Sequence, residues 1–217
     1  DVEKIKGLYT EKNYHNCTIK YEITSLENDQ ADIVFMIEEG EKIKIEAIVF
    51  EGNQHFSDKE IKKVMQTQEK GFWSILTSSG DLKETELDND VIRIESLYKN
   101  NGFIDVKVSD ALISLLEESI SISFKIDEGN QYKIGTIDIE GDILTTKEAL
   151  LDKMVSTQSD LYNRELIRKD LLALNDLYSN QGYANINISP LINKDEENKI
   201  VNISFKIAKG ELVYFNR

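Results

Sequence analysis

Residues 97–103 read Leu-Tyr-Lys-Asn-Asn-Gly-Phe, and the same pattern occurs twice more in this chain of 217 residues. It returns 80 residues later, where 177–183 read Leu-Tyr-Ser-Asn-Gln-Gly-Tyr, and it stands 89 residues earlier, where 8–14 read Leu-Tyr-Thr-Glu-Lys-Asn-Tyr. A second marker keeps the longer spacing, because Phe-Glu-Gly at 50–52 is followed by Ile-Glu-Gly at 139–141. Self-similarity at a constant spacing is typical of tandem repeats. The sequence therefore predicts an array of similar units.

The stretch 43–129 shows the order of elements within one unit. Apolar residues alternate with polar ones in 43–50, and they alternate again in 104–108 and in 120–126. Between the first and second of these segments, apolar residues recur at spacings of three and four. Alternation predicts strands, and the longer spacing predicts two helices. The predicted fold is α+β, with the order β-α-α-β-β and a three-stranded mixed sheet covered by two helices on one face.

This order divides the chain into four segments. The stretches 43–129 and 132–210 are predicted to be complete units. Residues 1–40 carry only the end of a second helix and two strands, and 213–217 resemble the start of another first strand. A chain that begins and ends inside units is expected to be a piece of a longer protein.

Turn and cap residues mark the ends of the predicted helices. Ser57 with Glu60, and Thr145 with Glu148, have the spacing of capping boxes and predict the starts of the two first helices. Gly102 follows the apolar stripe of a second helix, so it is expected to end that helix in the left-handed conformation.

Composition excludes several classes of function. Forty acidic residues against 26 basic ones give a net charge of -14, which argues against binding to the phosphate backbone of nucleic acids. Cys17 is the single cysteine, so neither an internal disulfide nor a cysteine-based zinc site can form within the chain. The sequence also lacks the glycine-rich nucleotide-binding motifs and the serine nucleophile elbow. It therefore predicts no enzyme, no metal site and no cofactor.

The order of elements resembles that of POTRA domains, and three motifs strengthen the resemblance. They are Phe-Glu-Gly-Asn at 50–53, the Leu-Tyr-x-x-x-Gly-aromatic pattern described above, and the acid-Glu-Gly junctions at 38–40 and 127–129. Tandem POTRA domains occur on the periplasmic side of Omp85-family outer-membrane proteins, and this array is most similar to those of outer-membrane assembly factors. The resemblance implies the end of a second domain, complete third-like and fourth-like domains, and the start of a fifth.

Two candidate binding surfaces follow from the resemblance and from the residues. POTRA domains carry the middle strand of the sequence at a sheet edge, where unpaired main-chain groups can accept an extended peptide. The predicted peptide-binding edge is therefore Ile104, Asp105, Val106, Lys107, Val108 and Ser109. Pro190 weakens the equivalent prediction for 184–189. The second surface is the apolar segment of Phe72, Trp73, Ile75 and Leu76, which either packs on its own repeat or docks a partner.

The function implied by the resemblance is that of a periplasmic scaffold in an outer-membrane protein assembly machine. Its expected partners are unfolded outer-membrane β-barrel proteins and accessory outer-membrane lipoproteins, with a periplasmic chaperone as a further candidate. Contact with the membrane would run only through a barrel that is absent from this chain. The alternatives are a structural spacer, and a POTRA module of an Omp85-type secretion or translocation pore or of a division or envelope protein.

Overall fold

The computed structural model describes residues 1–27, 30–72, 74 and 79–212. The helices are α1 Val2–Thr10, α2 Asp58–Val64, α3 Glu84–Lys99, α4 Lys147–Leu151 and α5 Arg164–Ser179. The strands are β1 Thr18–Ser25, β2 Ala31–Glu38, β3 Lys44–Glu51, β4 Lys107–Val108, β5 Leu112–Leu115, β6 Ser119–Asp127, β7 Lys133–Gly141, β8 Asn187–Asp195 and β9 Ile200–Ala208. The predicted order of strand, helix, helix, strand, strand is confirmed in both complete repeats.

The strands of the two complete repeats form mixed sheets, as expected. In the first complete repeat β3 and β6 are parallel, and β6 pairs on its other side with antiparallel β4 and β5. In the second complete repeat the order is β7-β9-β8, with β7 and β9 parallel and β8 antiparallel to β9. Antiparallel β1 and β2 form the sheet of residues 1–40. The first complete repeat has four strands rather than three because its middle strand is divided in two.

The chain forms two compact units. One contains Asp1–Arg93 and Ser109–Lys125, and the other contains Ile94–Val108 and the chain from Ile126 onward. The division falls inside α3 and β6, and so inside the first complete repeat. In the second unit, the turn after α3 bonds to the residues that precede β7.

One face of each central strand is buried against helices. In the second complete repeat, the buried side chains of β9 alternate along the strand and pack with those of both helices. This core comprises, among others, Val201, Ile203, Phe205 and Ile207 of β9, Leu150 of α4, and Ile167, Leu174 and Tyr178 of α5. The stripe predicted for the second helix is thus confirmed as the core-facing side.

The Leu-Tyr-x-x-x-Gly-aromatic motif forms the same helix end in each repeat. The residue at the glycine position has a left-handed backbone, with φ of 69° at Asn13, 96° at Gly102 and 89° at Gly182. In this conformation the main-chain N–H of the following aromatic residue donates a hydrogen bond to the tyrosine carbonyl, as in a Schellman motif. The bonds are Tyr14 N–H to Tyr9 O (2.9 Å), Phe103 N–H to Tyr98 O (3.1 Å) and Tyr183 N–H to Tyr178 O (3.3 Å). The left-handed cap predicted at Gly102 is confirmed.

The turn that follows α1 holds the start of the next repeat within the first unit. The Asn13 carbonyl accepts the N–H of Ile43 at 2.9 Å, immediately before β3. Asn13 Oδ1 accepts the N–H of Leu82 at 2.8 Å, shortly before α3. Asn13 is buried, so both bonds satisfy main-chain donors away from water.

We call the turn after a second helix, together with the residues that it bonds at the start of the next repeat, a joint. The second unit contains an equivalent joint after α3. The Gly102 carbonyl accepts the N–H of Tyr132 at 2.9 Å, immediately before β7. Here the side-chain acceptor is Asn100, whose Oδ1 accepts the N–H of Glu165 at 3.0 Å in the first turn of α5. A Cβ on Gly102 would lie 2.8 Å from Gln131 Cγ and 3.0 Å from Tyr132 O, so this position has no room for a side chain. Each turn therefore fixes both a first strand and a second helix.

The acid-Glu-Gly junctions accept hydrogen bonds from the repeated tyrosines. The hydroxyl of Tyr9 donates to Glu39 at 3.1 Å, and that of Tyr98 donates to Glu128 at 2.9 Å. In the third copy Ala208 takes the place of the glutamate, and the Tyr178 hydroxyl instead donates to the Asp142 carbonyl at 2.9 Å. Tyr98 and Tyr178 are fully buried, so in both complete repeats this tyrosine packs at the end of the second helix.

Two buried carboxylates were missed by the sequence analysis. Asp90 in α3 accepts the N–H groups of Gln66 and Thr67 at 2.7 and 2.9 Å. Asp170 in α5 accepts those of Val155 and Ser156 at 2.5 and 3.1 Å. The same interaction therefore recurs in both complete repeats: a buried carboxylate of the second helix accepts two main-chain N–H groups of the segment that follows the first helix. The sequence signal was an acid within the apolar stripe, repeated at the 80-residue spacing.

The start of α4 differs from prediction by one residue. Thr146 is the N-cap, and its Oγ1 accepts the N–H of Ala149 at 3.2 Å, so the predicted capping box of Thr145 with Glu148 is wrong. In the first complete repeat Ser57 is the N-cap of α2, as predicted, and its N–H donates to Glu60 Oε2 at 2.9 Å.

The Tyr98 hydroxyl makes the stability of the second unit sensitive to alkaline pH. Burial, and next the hydrogen bond to Glu128, raise the pKa of Tyr98 above its ordinary value of 10.0. The stabilising contribution of the neutral hydroxyl is fully present below pH 10, and it is lost as the pH rises, because only the unfolded chain then ionises. The unfolding free energy of the parent should fall relative to that of Tyr98→Phe by about 1.4 kcal/mol per pH unit above pH 10. Denaturant titrations from pH 7 to 11 measure this difference; parallel curves for the two proteins would contradict it.

Candidate functional site

The predicted peptide-binding edge is shorter than expected. Ile104 and Asp105 lie in a turn, and Val106 is buried ahead of a strand that contains only Lys107 and Val108. The prediction of a strand over all of 104–109 is therefore wrong. The joint explains the difference, because the left-handed turn at Gly102 folds the next residues back, with the Val106 N–H directed to the Phe103 carbonyl.

Ser109 ends β4 by replacing a main-chain acceptor with its side chain. The Ser109 N–H donates to the Lys125 carbonyl at 2.9 Å, whereas the Lys125 N–H donates to Ser109 Oγ at 3.0 Å. Pairing resumes with Leu112 opposite Ser123. Residues 110 and 111 thus lie opposite the single residue 124 of β6. Two residues on one strand opposite one on its partner define a β-bulge.

Beyond the bulge, β5 presents an edge that the sequence analysis did not predict. The Leu116 N–H donates to the Ser119 carbonyl at 2.8 Å. Because antiparallel ladders alternate, Ile113 and Leu115 then point their N–H and C=O groups away from β6. The side chain of Leu115 is 56% exposed and that of Leu112 63%. The segment was missed because 112–116, Leu-Ile-Ser-Leu-Leu, does not alternate.

The edge strand of the second complete repeat is longer and continuous. All nine residues of β8 pair with β9 without a shift of register. Pro190 has no N–H, so the ladder to β9 stays complete because Pro190 occupies a position whose main-chain groups point away from β9. In an alternating ladder the main-chain groups of Ile188, Ile192 and Lys194 point in the same direction. The location of Pro190 in an edge strand is confirmed. The strand itself occupies 187–195 rather than the predicted 184–189.

The opposite edge of each sheet is already occupied. On β3, the Ile45 N–H donates to the Gly80 carbonyl at 2.8 Å, and the Ile45 carbonyl accepts the Lys70 N–H at 2.7 Å. On β7, the Ile134 N–H donates to the Asp160 carbonyl at 2.8 Å, and the Ile134 carbonyl accepts the Ser159 N–H at 2.8 Å. The segment between the two helices thus bonds to the beginning of the first strand in both repeats. Within the described part of the two complete repeats, the outward main-chain groups of the middle strand are therefore the candidate place for an extended polypeptide to add.

The aromatic insertion lies partly outside the described residues. Trp73, Ile75 and Leu76 are among the residues whose structure is not described, and the side chain of Phe72 is 91% exposed. Lys44 Nζ donates to the carbonyls of Ser74 and Ser79 at 3.1 and 3.2 Å, which ties the insertion to β3. The prediction that this segment packs on its own repeat or docks a partner stays a prediction.

Metal-ligand clusters and membrane-spanning helices are absent from the described residues. No group of three His, Cys, Asp or Glu side chains among them could hold a metal ion. None of their helices has the length and apolar character needed to cross a bilayer. The geometry therefore defines a tandem array of α+β domains that present open main-chain edges.

Comparison with known proteins identifies the class. The family model of POTRA, described as "Surface antigen variable number repeat", matches residues 43–129 and 132–210. The chain belongs to the POTRA family.

Two relatives with curated names are outer-membrane protein assembly factors BamA. The chain is 29% identical to that of Nitratidesulfovibrio vulgaris strain Hildenborough, over 100% of this chain and 28% of the relative. It is 31% identical to that of Neisseria meningitidis serogroup B, over 99% of this chain and 27% of the relative. The chain thus spans little more than a quarter of the length of these relatives.

Solved structures agree on the fold. The crystal structure of Haemophilus influenzae BamA POTRA3-5 matches with a TM-score of 0.66 at 19% identity, over 78% of this chain and 67% of that one. BamA from Haemophilus ducreyi lacking POTRA domains 1-3 matches with a TM-score of 0.57 at 21% identity, over 77% of this chain and 29% of that one. The complete repeats are BamA-like POTRA domains; their assignment as third and fourth in a series stays a prediction.

Hydrogen exchange of single amides tests whether these edges are open. The outward amides of Ile113 and Leu115 should exchange at least about tenfold faster than the paired amides of Leu112 and Ser114. Amide-resolved exchange by nuclear magnetic resonance measures these rates. The Ile45 amide, bonded on the covered edge, is the internal control and should exchange slowly. Equal protection of all five amides would show that the β5 edge is closed.

Proposed function

We propose that the chain is a periplasmic scaffold of an outer-membrane protein assembly machine. It binds unfolded β-barrel precursors by strand addition at its open edges and guides them toward a membrane barrel that is absent from this chain. Accessory outer-membrane lipoproteins bind the same array, and the exposed Phe72 of the insertion is a candidate contact for them. The single observation that carries the proposal is that, among the described residues of each complete repeat, the first strand is bonded on its outer edge at Ile45 or Ile134, whereas the middle strand has no strand on its outer edge.

Strand addition suits substrates of diverse sequence. Main-chain hydrogen bonds do not read side chains, so one edge can accept many barrel precursors. Ordering an unfolded segment costs conformational entropy, which keeps each association weak and reversible. The names of the relatives, outer-membrane protein assembly factors, support this choice over a passive spacer.

A proline at a β5 position whose N–H points away from β6 tests strand addition directly, because this N–H would donate a hydrogen bond to the added peptide. Leu115→Pro removes one outward N–H, whereas Leu115→Thr removes the same leucine side chain and keeps the N–H. The probe is a synthetic peptide copied from one strand of an outer-membrane β-barrel. Its concentration-dependent protection of the Ile113 amide from exchange gives a Kd for β5 alone.

The proline variant should bind the peptide roughly fivefold more weakly, because one hydrogen bond contributes about 1 kcal/mol. The threonine variant should bind like the parent. Equal Kd values for the proline and threonine variants would rule out main-chain pairing at β5. Absence of protection at every β5 and β8 amide, up to about millimolar peptide, would favour the spacer.

A further inference from the structure

At each of these joints, the end of the middle strand of one repeat lies close to the start of the middle strand of the preceding repeat. In the second unit, Lys194 near the end of β8 donates to both carboxylate oxygens of Asp105, at 2.8 and 2.9 Å. Asp105 lies two residues before β4. In the first unit, Asn16 Nδ2 donates at 3.2 Å to the carbonyl of Glu117, in the turn after β5, and Asn16 lies two residues before β1. Asn16 and Asp105 are 89 residues apart, so they occupy equivalent positions.

The strand directions in the second unit place these edges head to tail. β7 begins at the joint, and parallel β9 therefore begins there as well, with Ile200 beside Lys133. Antiparallel β8 must end at the joint, where Asp195 pairs with Ile200. β4 starts at the joint, because Lys107 pairs with Asp127 at the end of β6. β8 thus runs toward the joint and β4 runs away from it, with the same polarity.

We infer that Asp105 and Lys194 join the edges of β8 and β4 into one composite binding edge. Its occupant is a single extended polypeptide longer than one strand. The inference rests on the proposed function and specifies its substrate as a segment that pairs with two successive repeats at once. An extended main chain is the one ligand whose donors and acceptors keep the spacing and polarity of both edges. β8 spans nine residues and β4 two, so a segment of about 18 residues is long enough to pair with both and to cross the joint between them.

Three probes distinguish a composite edge from two separate ones. The first is a peptide of about nine residues copied from a strand of an outer-membrane β-barrel, and the second is a tandem of two copies, about 18 residues long. The third is the tandem with prolines at alternate positions of its second copy, which prevents that copy from pairing. Fluorescence anisotropy gives the Kd of each. Hydrogen exchange of Ile192 and Val108 reports whether both edges are occupied.

The tandem should bind the parent chain at least about tenfold more tightly than the single peptide, because the second pairing is intramolecular. The proline tandem should show no such gain. Lys194→Asp places two carboxylates at the joint and should abolish the gain, while the double variant Asp105→Lys with Lys194→Asp should restore it. Lys147→Asp is the matched control, because it removes a similarly exposed ion pair, 2.7 Å to Asp138, away from the joint.

The possible failures can be told apart. A tandem that binds no better than the proline tandem, or that keeps its gain in Lys194→Asp, overturns the composite edge and leaves strand addition at single edges intact. Absence of binding by the single peptide and by the tandem, without protection of Ile192, overturns the proposed function and the composite edge with it. Protection of both Ile192 and Val108 by the tandem, but of one of them by the proline tandem, is the supporting result.

Discussion

A main-chain hydrogen bond between a left-handed residue and the start of the next repeat recurs at the joints after α1 and after α3. The Asn13 carbonyl accepts Ile43, and the Gly102 carbonyl accepts Tyr132, each at 2.9 Å. The bond exists because the left-handed residue turns the chain sharply after the second helix, so that its carbonyl faces the incoming strand. The start of the next second helix is bonded to the same turn. Repeats of 80 to 90 residues have small cores, and these bonds add stability that each core lacks alone.

The arrangement of each sheet determines which main-chain groups remain available to pair with another polypeptide. The inter-helix segment of each repeat folds back onto the first strand, and the central strand is flanked on both sides. In the described part of each complete repeat the outward main-chain groups of the middle strand have no bonded strand beside them, and the hairpin that ends this strand is held at the joint by Asn16 in one unit and Asp105 in the other. A bulge or a proline is a common device against uncontrolled edge pairing. Ser109 and Pro190 interrupt the two edges in these two ways, which suits transient binding of an extended chain.

Periodicity sufficed to predict the order of elements, the buried stripe of each second helix and the left-handed cap. It failed where tertiary contacts override the local pattern. Ile104 and Asp105 alternate with their neighbours like strand residues, yet the joint draws them into a turn. The repeat spacing itself indicates the correct cap of α4, since Thr146 stands 89 residues after Ser57. The pairing of Asp105 with Lys194 joins residues 89 apart in sequence, and no local pattern indicates it.

The most direct test of this account is the exchange rate of the Tyr132 amide after Gly102→Ala. The added Cβ meets Gln131 and the Tyr132 carbonyl, and alanine strains a backbone with φ of 96°, so the bond to Tyr132 should break. The Tyr132 amide should then exchange at least about tenfold faster, while the Phe205 amide in the core of the same repeat keeps its protection. Unchanged protection of Tyr132 would contradict it, because the joint would then be held by contacts other than the left-handed turn.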